Sequence, residues 1–388
     1  MRYIQREGSG ANEEQEVAMD RKRFKQIGMG SFFGDMVYRE VIPPDHFLVK
    51  LKELVPWGRF TEQLIQYYRG GAEVGRPPYD PAVILRMLLV SYLYNVSERQ
   101  VEEMVNYHLP MKYFVGLAVN ERAPDHSTLT AFKRRLEENG HVVAFQEMLQ
   151  EIVVVAGERG IEFGQIQVLD SVHTIADVNT QKDETRQKKE GKGPRDASAR
   201  WGAKHSRRVK TSEGKTVKQT EYFYGYKGHV SLNSETELIT SVGVTEGNRY
   251  DGHELPRLLE SDLAQGIPVQ IVSADRGYDD SDNHYLLTSK GIQSAIRLKR
   301  KRTEKKDRNK GVWVALKQSE GYRQGLGVRY KVERKFGEAK EGHGLRRCRY
   351  LGLVRYYMQV ILTVMALNLK RMVKLVTGVP FKGRAIAV

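Results

Sequence analysis

The sequence has a single cysteine, Cys348, among its 388 residues. One cysteine cannot form an intrachain disulfide, and zinc sites built on paired cysteines are excluded. The 10 histidines contain no HExxH pattern or other closely spaced ligand pair. Any metal ion that the protein uses should therefore be held by oxygen atoms.

Long apolar runs are also missing. The most apolar stretch, residues 360–369, is far too short to span a bilayer, and no secretory hydrophobic region opens the chain. We therefore expect a soluble, cytoplasmic protein with no membrane partner.

Acidic residues are too few to balance the basic ones. The chain has 63 Lys and Arg against 48 Asp and Glu, which gives a formal charge of +15 and a pI near 9.6. This excess favours a polyanionic partner, and nucleic acid is the first candidate. The length predicts two or three domains.

The N-terminal part of the chain reads as helical. Residues 1–45 are mixed in charge without sustained periodicity, which predicts a flexible arm. From 46 to 160 one helical pattern follows another. Asp80 before a proline predicts a helix start, and Ser97 with Gln100 forms a capping-box pattern. We expect an all-helical domain here.

Basic residues cluster on one helix of this domain. Lys133, Arg134 and Arg135 lie close to Thr128 and Thr130, and such residues contact phosphates in DNA-binding helices. The alternative is a helical bundle whose basic residues are merely solvated. Periodicity alone does not choose between the two.

Residues 161–376 alternate between strand and helix patterns. The order of three strands, helix, strand, helix, strand and helix is that of a ribonuclease H-like fold, an α+β domain with a mixed five-stranded sheet and flanking helices. The predicted strands are 165–171, 222–232, 238–245, 269–274 and 292–298. A C-terminal tail, 377–388, follows the last helix.

Two basic segments interrupt this second domain. Residues 180–219 form a basic insertion whose composition predicts disorder in isolation, except for the stretch RDASARWGAKHS, which should be ordered. Residues 297–327 form a second basic segment.

Three carboxylates stand out by position. Asp170 ends the first predicted strand, Asp275 ends the fourth, and Glu333 lies on the helix after the fifth. In a ribonuclease H-like sheet the ends of strands one and four are neighbours, so the acids should converge. Clustered acids repel one another unless cations bridge them, which predicts two Mg²⁺ ions roughly 3.5–4 Å apart, with Mn²⁺ as a substitute.

Other acids compete for these roles. Asp177 is a rival for the first position, and Asp275 is also explained as an ordinary turn residue. Glu338 and Glu341 compete with Glu333, although Glu338 lies about 140° around the helix from it. We select Glu333.

The glutamate lies on a charged stripe. Arg329, Glu333, Phe336 and Lys340 recur on one face at helical spacing. A solvated face with an ordinary Arg–Glu pair would look the same. Beside clustered acids, Arg329 and Lys340 become candidate ligands of DNA phosphates.

At this point the sequence resembles a known family, the DDE transposases of bacterial insertion sequences in the group of families 4 and 5. LDSVHTIADV and SADRGYDDSDNHYLLTSKGI resemble the segments that carry the two aspartates. YGYKGHVSLNSETELITSVGVTEGNRYDGHEL resembles the second and third strands with the next helix. FTEQLIQYYRGG, RPPYDPAVILRMLLVSYLY and APDHSTLTAFKRRL resemble the helical domain that precedes the catalytic core.

The helix also matches the glutamate signature of that family. An Arg four residues before the Glu and a Lys seven residues after it correspond to Arg329, Glu333 and Lys340. Leu326 stands where the signature has a Tyr, so the contact made by that Tyr is not carried over.

The resemblance implies binding to terminal inverted repeats, DNA cleavage, and transfer of 3′-hydroxyl ends into target DNA. It also implies a homodimer on paired ends, acting at the bacterial nucleoid. The family's stacked aromatic residue suggests Trp201 or Trp313 as a platform for a flipped base, although a buried core Trp is the alternative for each. Further expected DNA contacts are Lys204, Lys227, Arg276, Arg346 and Arg347.

Two other functions remain open from the sequence. A metal-dependent nuclease that cuts without joining would need the same acids. A non-catalytic DNA-binding derivative of a transposase would keep the fold and the charge but not the chemistry.

Overall fold

The computed structural model describes residues 24–28, 32–68, 77–139, 141–210, 216–304 and 308–382. The chain divides into two compact units, 1–148 with 377–388, and 149–376. Much of the predicted arm, residues 1–23 and 29–31, and most of the predicted tail, 383–388, lie outside the described residues.

The first unit is built from helices. They are α1 (Phe32–Val41), α2 (Phe47–Leu54), α3 (Gly58–Ile65), α4 (Pro81–Tyr94), α5 (Glu98–Tyr107), α6 (Leu109–Val115), α7 (His126–Asn139) and the first half of α8 (His141–Glu158). The all-helical prediction is confirmed. Helix α1 lies within the segment 1–45 that was predicted to be a flexible arm. That prediction was wrong for residues 32–41, which form a helix with Tyr38 buried.

Helix α4 is the centre of this bundle, since almost all of its side chains are buried. Its start is set by Asp80, which accepts hydrogen bonds from Ala82 N and Thr61 Oγ1, each at 2.7 Å. The capping box of Ser97 and Gln100 starts α5 as predicted. The two units divide inside α8, whereas the sequence placed a boundary after this helix.

The second unit contains six strands and several helices. In chain order they are β1 (Ile166–Ile175), α9 (Thr180–Glu190), β2 (Arg200–Lys210), β3 (Thr216–Asn233), β4 (Ile239–Glu246), α10 (Leu255–Ala264), β5 (Ile271–Ala274), α11 (Ser281–Ser289), β6 (Gln293–Ile296), α12 (Lys310–Gln318), α13 (Glu320–Gly327), α14 (Tyr330–Gly342) and α15 (Leu353–Thr377). Single 3₁₀ turns lie at Asp251–Glu254, Arg276–Tyr278 and Arg300–Thr303.

The strands form one mixed sheet in the order β2-β3-β1-β5-β6, and β4 also pairs with β3. Strand β1 is antiparallel to β3 and parallel to β5. Because β3 is 18 residues long, its first half pairs with β2 and its second half pairs with β1 and β4. Without β2 the order is that of a ribonuclease H-like fold, as predicted.

The basic insertion contributes β2, a strand in addition to the five that were predicted. Disorder was the wrong prediction for its described part, which forms α9 and β2; residues 211–215 lie outside the described residues. The loop between them is fixed by Asp196, which is only 2% exposed. Its carboxylate accepts hydrogen bonds from Tyr226 Oη at 2.5 Å and from Gly352 N at 3.3 Å. The ordered stretch was predicted, but this tertiary anchor was not.

Helix α15 closes the second unit as a largely buried element. Tyr356 stacks on Tyr226 of β3 with ring centres 5.0 Å apart. Its hydroxyl also lies 2.9 Å from Thr174 Oγ1 of β1. Helix and sheet therefore share one core. Across the described part of the chain, no helix is both long enough and apolar enough to cross a membrane.

Candidate active site

The first two predicted acids lie on neighbouring parallel strands. Leu169 of β1 is opposite Ala274 of β5 in the ladder. Asp170 and Asp275 are the next residues, so they lie side by side where β5 ends. Strand β1 continues to Ile175, so the prediction that Asp170 ends the first strand was wrong. The topology thus brings together two carboxylates that are 105 positions apart in the numbering of the chain.

Asp275 has a local role as well. Its Oδ1 accepts a hydrogen bond from Gly277 N at 2.7 Å and caps the turn Arg276–Tyr278. Asp275 is therefore a turn residue, as the alternative interpretation held. The same residue lies beside Asp170 where β5 ends, so capping fixes the position of an acid next to Asp170. Arg276 is exposed in this turn.

The third acid is connected to the first through an arginine. Arg329 Nη2 lies 3.0 Å from Asp170 Oδ2 and 3.3 Å from Glu333 Oε1. Arg329 directly precedes α14, and Glu333 lies in the first turn of that helix. The predicted phosphate ligand is thus paired with two of the predicted acids. Glu333 remains 63% exposed, whereas Asp170 and Arg329 are 14% and 13% exposed.

Burial and charge both act on Asp170. Burial raises the pKa of this carboxyl to about 6, Arg329 opposes the rise, and the nearby charge of Asp275 adds to it. Burial disfavours the charged form, and a neighbouring carboxylate repels it. A bound cation would relieve both effects, so the site is built to favour added positive charge.

The donor atoms fit a hard divalent cation. Asp170, Asp275 and Glu333 offer only carboxylate oxygens, which Mg²⁺ and Mn²⁺ prefer. Among the described residues no three His, Cys, Asp or Glu side chains are close enough to hold a metal ion together. Arg329 supplies the positive charge between two of the acids instead, and its Nη1 is buried with no hydrogen-bond partner in the described structure.

Glu338, a rival for the third position, is part of a separate ion-pair network. Its two oxygens pair with Lys335 at 3.2 Å and with Lys370 at 2.6 Å. Burial raises its pKa, but the two lysines outweigh burial and bring it to about 2. Glu338 is therefore a structural carboxylate between α14 and α15.

The other rivals lie on the surface. Asp177 pairs with Arg347 at 2.9 Å, and both side chains are more than half exposed. Glu341 pairs with Arg346, and both are also largely exposed. These pairs occupy two arginines that were predicted to contact DNA, although their exposure leaves them able to exchange partners.

One acid near the site was missed by the sequence interpretation. This residue, Asp251, opens the turn Asp251–Glu254. Its carboxylate accepts hydrogen bonds from Ser171 Oγ at 3.1 Å and Lys227 Nζ at 2.8 Å. Lys227, a predicted DNA contact, is therefore engaged in an ion pair that is mostly buried. Only the position of Asp251 just after β4 could have signalled it.

The two tryptophans predicted as base platforms differ sharply in exposure. Trp313 is 7% exposed and packs between His284, at 4.8 Å, and the guanidinium of Arg302, at 4.6 Å. Its prediction as a DNA contact was wrong, because neither face of the ring is open to a base. Trp201 on β2 is 54% exposed.

Trp201 borders an open aromatic cavity of about 240 Å³. Tyr224 packs beside it with ring centres 5.5 Å apart, and Tyr222 on the same rim is 63% exposed. Lys204 also lines the cavity, where it pairs with Glu221 at 2.7 Å. The predicted residues Trp201 and Lys204 are thus brought together on one surface.

Lys340 lies near Lys204 and Arg346, two other predicted DNA contacts. Burial lowers the pKa of its ammonium group, and the nearby charges of Lys204 and Arg346 lower it further. Mutual repulsion of this kind occurs where cations are gathered on one surface. Three predicted DNA contacts, Lys204, Lys340 and Arg346, therefore lie near one another.

The three consecutive basic residues of α7 have different surroundings. Lys133 is buried and pairs with Glu98, so its prediction as a DNA contact was wrong. Arg135 lies over the ring of Tyr68 at 4.1 Å. Arg134 is 69% exposed and 4.0 Å from Glu138, and it remains accessible to a ligand.

Comparison with known proteins identifies the family. A model described as a transposase domain matches residues 36–135, and a model described as a transposase DDE domain matches residues 172–369, just over half of the chain. The chain belongs to the DDE transposase family. The second match includes Asp275 and Glu333 and begins two residues after Asp170. The protein is thus an enzyme of DNA transposition, from a family that normally uses a divalent metal ion.

Solved structures of transposases are also similar to this one. A cryo-EM structure of the piggyBac transposase synaptic complex with hairpin DNA is 9% identical, covers 86% of this chain and 74% of that chain, and has a TM-score of 0.37. A crystal structure of the Mos1 mariner paired end complex with Mn is 11% identical in sequence. The match covers 95% of this chain and 97% of that chain, with a TM-score of 0.20. Such low TM-scores carry no information on mechanism.

Proposed function

We propose that Asp170, Asp275 and Glu333 hold two Mg²⁺ ions, for which Mn²⁺ substitutes. With these ions the protein would cleave DNA at the terminal inverted repeats of its element and join the 3′-hydroxyl ends to target DNA. The observation that carries the proposal is the contact of Arg329 with both Asp170 and Glu333 beside the strand end of Asp275. Arg329 thus joins two of the three acids, and the third, Asp275, follows the strand that is paired with the strand of Asp170.

The bound metal would supply an activated oxygen nucleophile and stabilise the leaving oxygen. The protein's own residues would prepare the site. Asp170 lies within β1 and Asp275 directly follows β5, so the sheet would hold both carboxylates in place, and Glu333 is exposed enough to move. Arg329, once a metal ion neutralises the acids, would be free to hold a DNA phosphate, for which its planar guanidinium is well suited.

The path of DNA would run over the surface that carries Lys204, Lys340 and Arg346. Lys204, Lys340 and Arg346 would bind phosphates, and Trp201 would stack against an unpaired base. Arg134 would contribute a phosphate contact from the helical domain at 46–160, while 161–376 would form the catalytic domain. We further propose that a homodimer acts on paired ends.

The test is a reaction on DNA that ends in the inverted repeats flanking the gene. With Mg²⁺ we expect cleaved ends and products joined to a target plasmid. Asp275→Asn should abolish both products, whereas Asp282→Asn, an exposed aspartate of α11, should leave them unchanged. Cleavage without joined products would identify a nuclease. Binding without either product would identify a non-catalytic derivative, and both outcomes would contradict the proposal.

A further inference from the structure

A fourth carboxylate reaches the edge of the proposed metal site. Asp251 Oδ2 accepts a hydrogen bond from Ser171 Oγ, and Ser171 directly follows Asp170 on β1. Asp251 Oδ1 accepts one from Lys227 Nζ, which also donates to Arg249 O at 2.8 Å. Strand β1, strand β3 and the turn after β4 are therefore tied together at this carboxylate.

Asp251 also lies close to the second acid. A Cβ atom built on Gly277 would be 2.8 Å from Asp275 Oδ1 and 3.4 Å from Asp251 Oδ2. Both carboxylates thus border the same small volume beside the turn after β5. A side chain at Gly277 would collide with Asp275, which explains why glycine is suited to this position.

A buried tyrosine, Tyr278, lies near these acids. Tyr278 is completely buried, and its Oη has no hydrogen-bond partner among the residues that the structure describes. Burial raises the pKa of this phenol well above its usual value, and the charges of Asp170, Asp251 and Asp275 raise it further. Buried hydroxyl groups normally have a partner.

Asp251 forms its own ion pair with Lys227, whereas Asp170 and Glu333 share Arg329. Lys227 and Asp251 are 15% and 19% exposed, so their charges are only partly screened by water. The pair presents little net charge to its surroundings while both partners are present. Loss of Asp251 would leave a net positive charge at the site, and loss of Lys227 would leave a net negative one.

We propose that Asp251 is a positioning residue of the active site. It holds Asp170 and Asp275 in place through Ser171 and the turn, and its charge, balanced by Lys227, sets the affinity of the site for a divalent cation. The inference rests on the proposed function of Asp170, Asp275 and Glu333. It predicts that the two partners of one ion pair have opposite effects on metal binding.

The experiment is a Mn²⁺ titration of the full chain followed by electron paramagnetic resonance. Asp251→Asn should weaken Mn²⁺ binding by about five- to tenfold, and Lys227→Gln should strengthen it by a similar factor. Asp282→Asn should have no effect. Because a merely structural ion pair would make both variants bind more weakly, the opposite signs are the specific result.

Two outcomes would overturn the inference. One is an unchanged Mn²⁺ affinity in Asp251→Asn, and the other is weaker binding in both variants. If Asp251→Asn does not fold, Lys227→Gln decides alone, and any result other than tighter binding overturns the inference. Asp275→Asn serves as the separate control: if it binds Mn²⁺ as well as the wild type does, the proposed function itself has failed.

Discussion

Arg329 lies 3.0 Å from Asp170, and the same nitrogen also contacts Glu333 at 3.3 Å. A residue that the sequence suggested as a phosphate ligand is thus the cation between two of the proposed catalytic acids. One guanidinium group serves both purposes only if it changes partner. The metal-free protein would hold Arg329 on the acids, and the metal-bound protein would release it to DNA.

This relationship predicts a metal-dependent stability defect in Arg329→Gln. Without the arginine, Asp170 is left buried and unpaired, which should cost roughly 3 kcal/mol of unfolding free energy at pH 7.5. Mg²⁺ should restore more stability to this variant than to the wild type, because it replaces the missing charge. Urea denaturation with and without MgCl₂ measures both effects.

Arg300→Gln is the matched control, since that side chain is 94% exposed and 3.8 Å from its carboxylate partner. It should change the unfolding free energy by less than about 0.5 kcal/mol. Equal stabilisation of Arg329→Gln and wild type by Mg²⁺ would argue against the exchange of partners.

The two tryptophans should separate stability from DNA binding. Trp313→Ala removes a buried ring and should destabilise the protein by roughly 3–5 kcal/mol. Trp201→Ala should keep its stability but lose about 1–3 kcal/mol of affinity for DNA with a single-stranded tail. Fluorescence anisotropy gives the affinity, and Tyr285→Ala, which removes a 76% exposed ring elsewhere, is the control. An unchanged affinity in Trp201→Ala would remove the aromatic cavity from the proposed DNA path.

Asp262 in α10 should make the protein less stable as the pH rises. It is completely buried, and burial raises its pKa to about 6, while Thr240 Oγ1 donates a hydrogen bond at 2.6 Å. The unfolded value is about 3.9, so the folded protein keeps a proton that the unfolded chain releases. Its contribution is therefore full below about pH 4 and is lost as the pH rises through about 6.

Asp262→Asn cannot lose a proton and should lack this decline. The unfolding free energy of the wild type relative to the variant should fall by roughly 3 kcal/mol between pH 4 and pH 7. Urea denaturation across that range measures the difference. Parallel pH profiles for the two proteins would show that Asp262 keeps an ordinary pKa in the folded state.

The sequence was most informative where local chemistry decides structure. Asp80 and Ser97 start helices because their side chains bond backbone N–H groups only two or three residues away. Asp170 and Asp275 could be selected because a carboxylate at the end of a buried strand is unusual. Their meeting then followed from strand order alone.

The features that could not be predicted from the sequence depend on contacts between distant segments. Asp196 orders the basic insertion through Tyr226, 30 positions away, and Lys133 is buried by Glu98, 35 positions before it. Composition cannot distinguish such residues from solvated ones. Asp251 was missed for the same reason, since its partners Ser171 and Lys227 lie on other strands.

The central claim is that Asp170, Asp275 and Glu333 bind the catalytic metal ions, and metal rescue tests it most directly. A thiolate ligand binds softer cations better than it binds Mg²⁺. Asp275→Cys should therefore be inactive in strand transfer with Mg²⁺ and regain activity with Mn²⁺, while Asp282→Cys stays active with both ions. Wild-type activity of Asp275→Cys with Mg²⁺ would contradict the assignment.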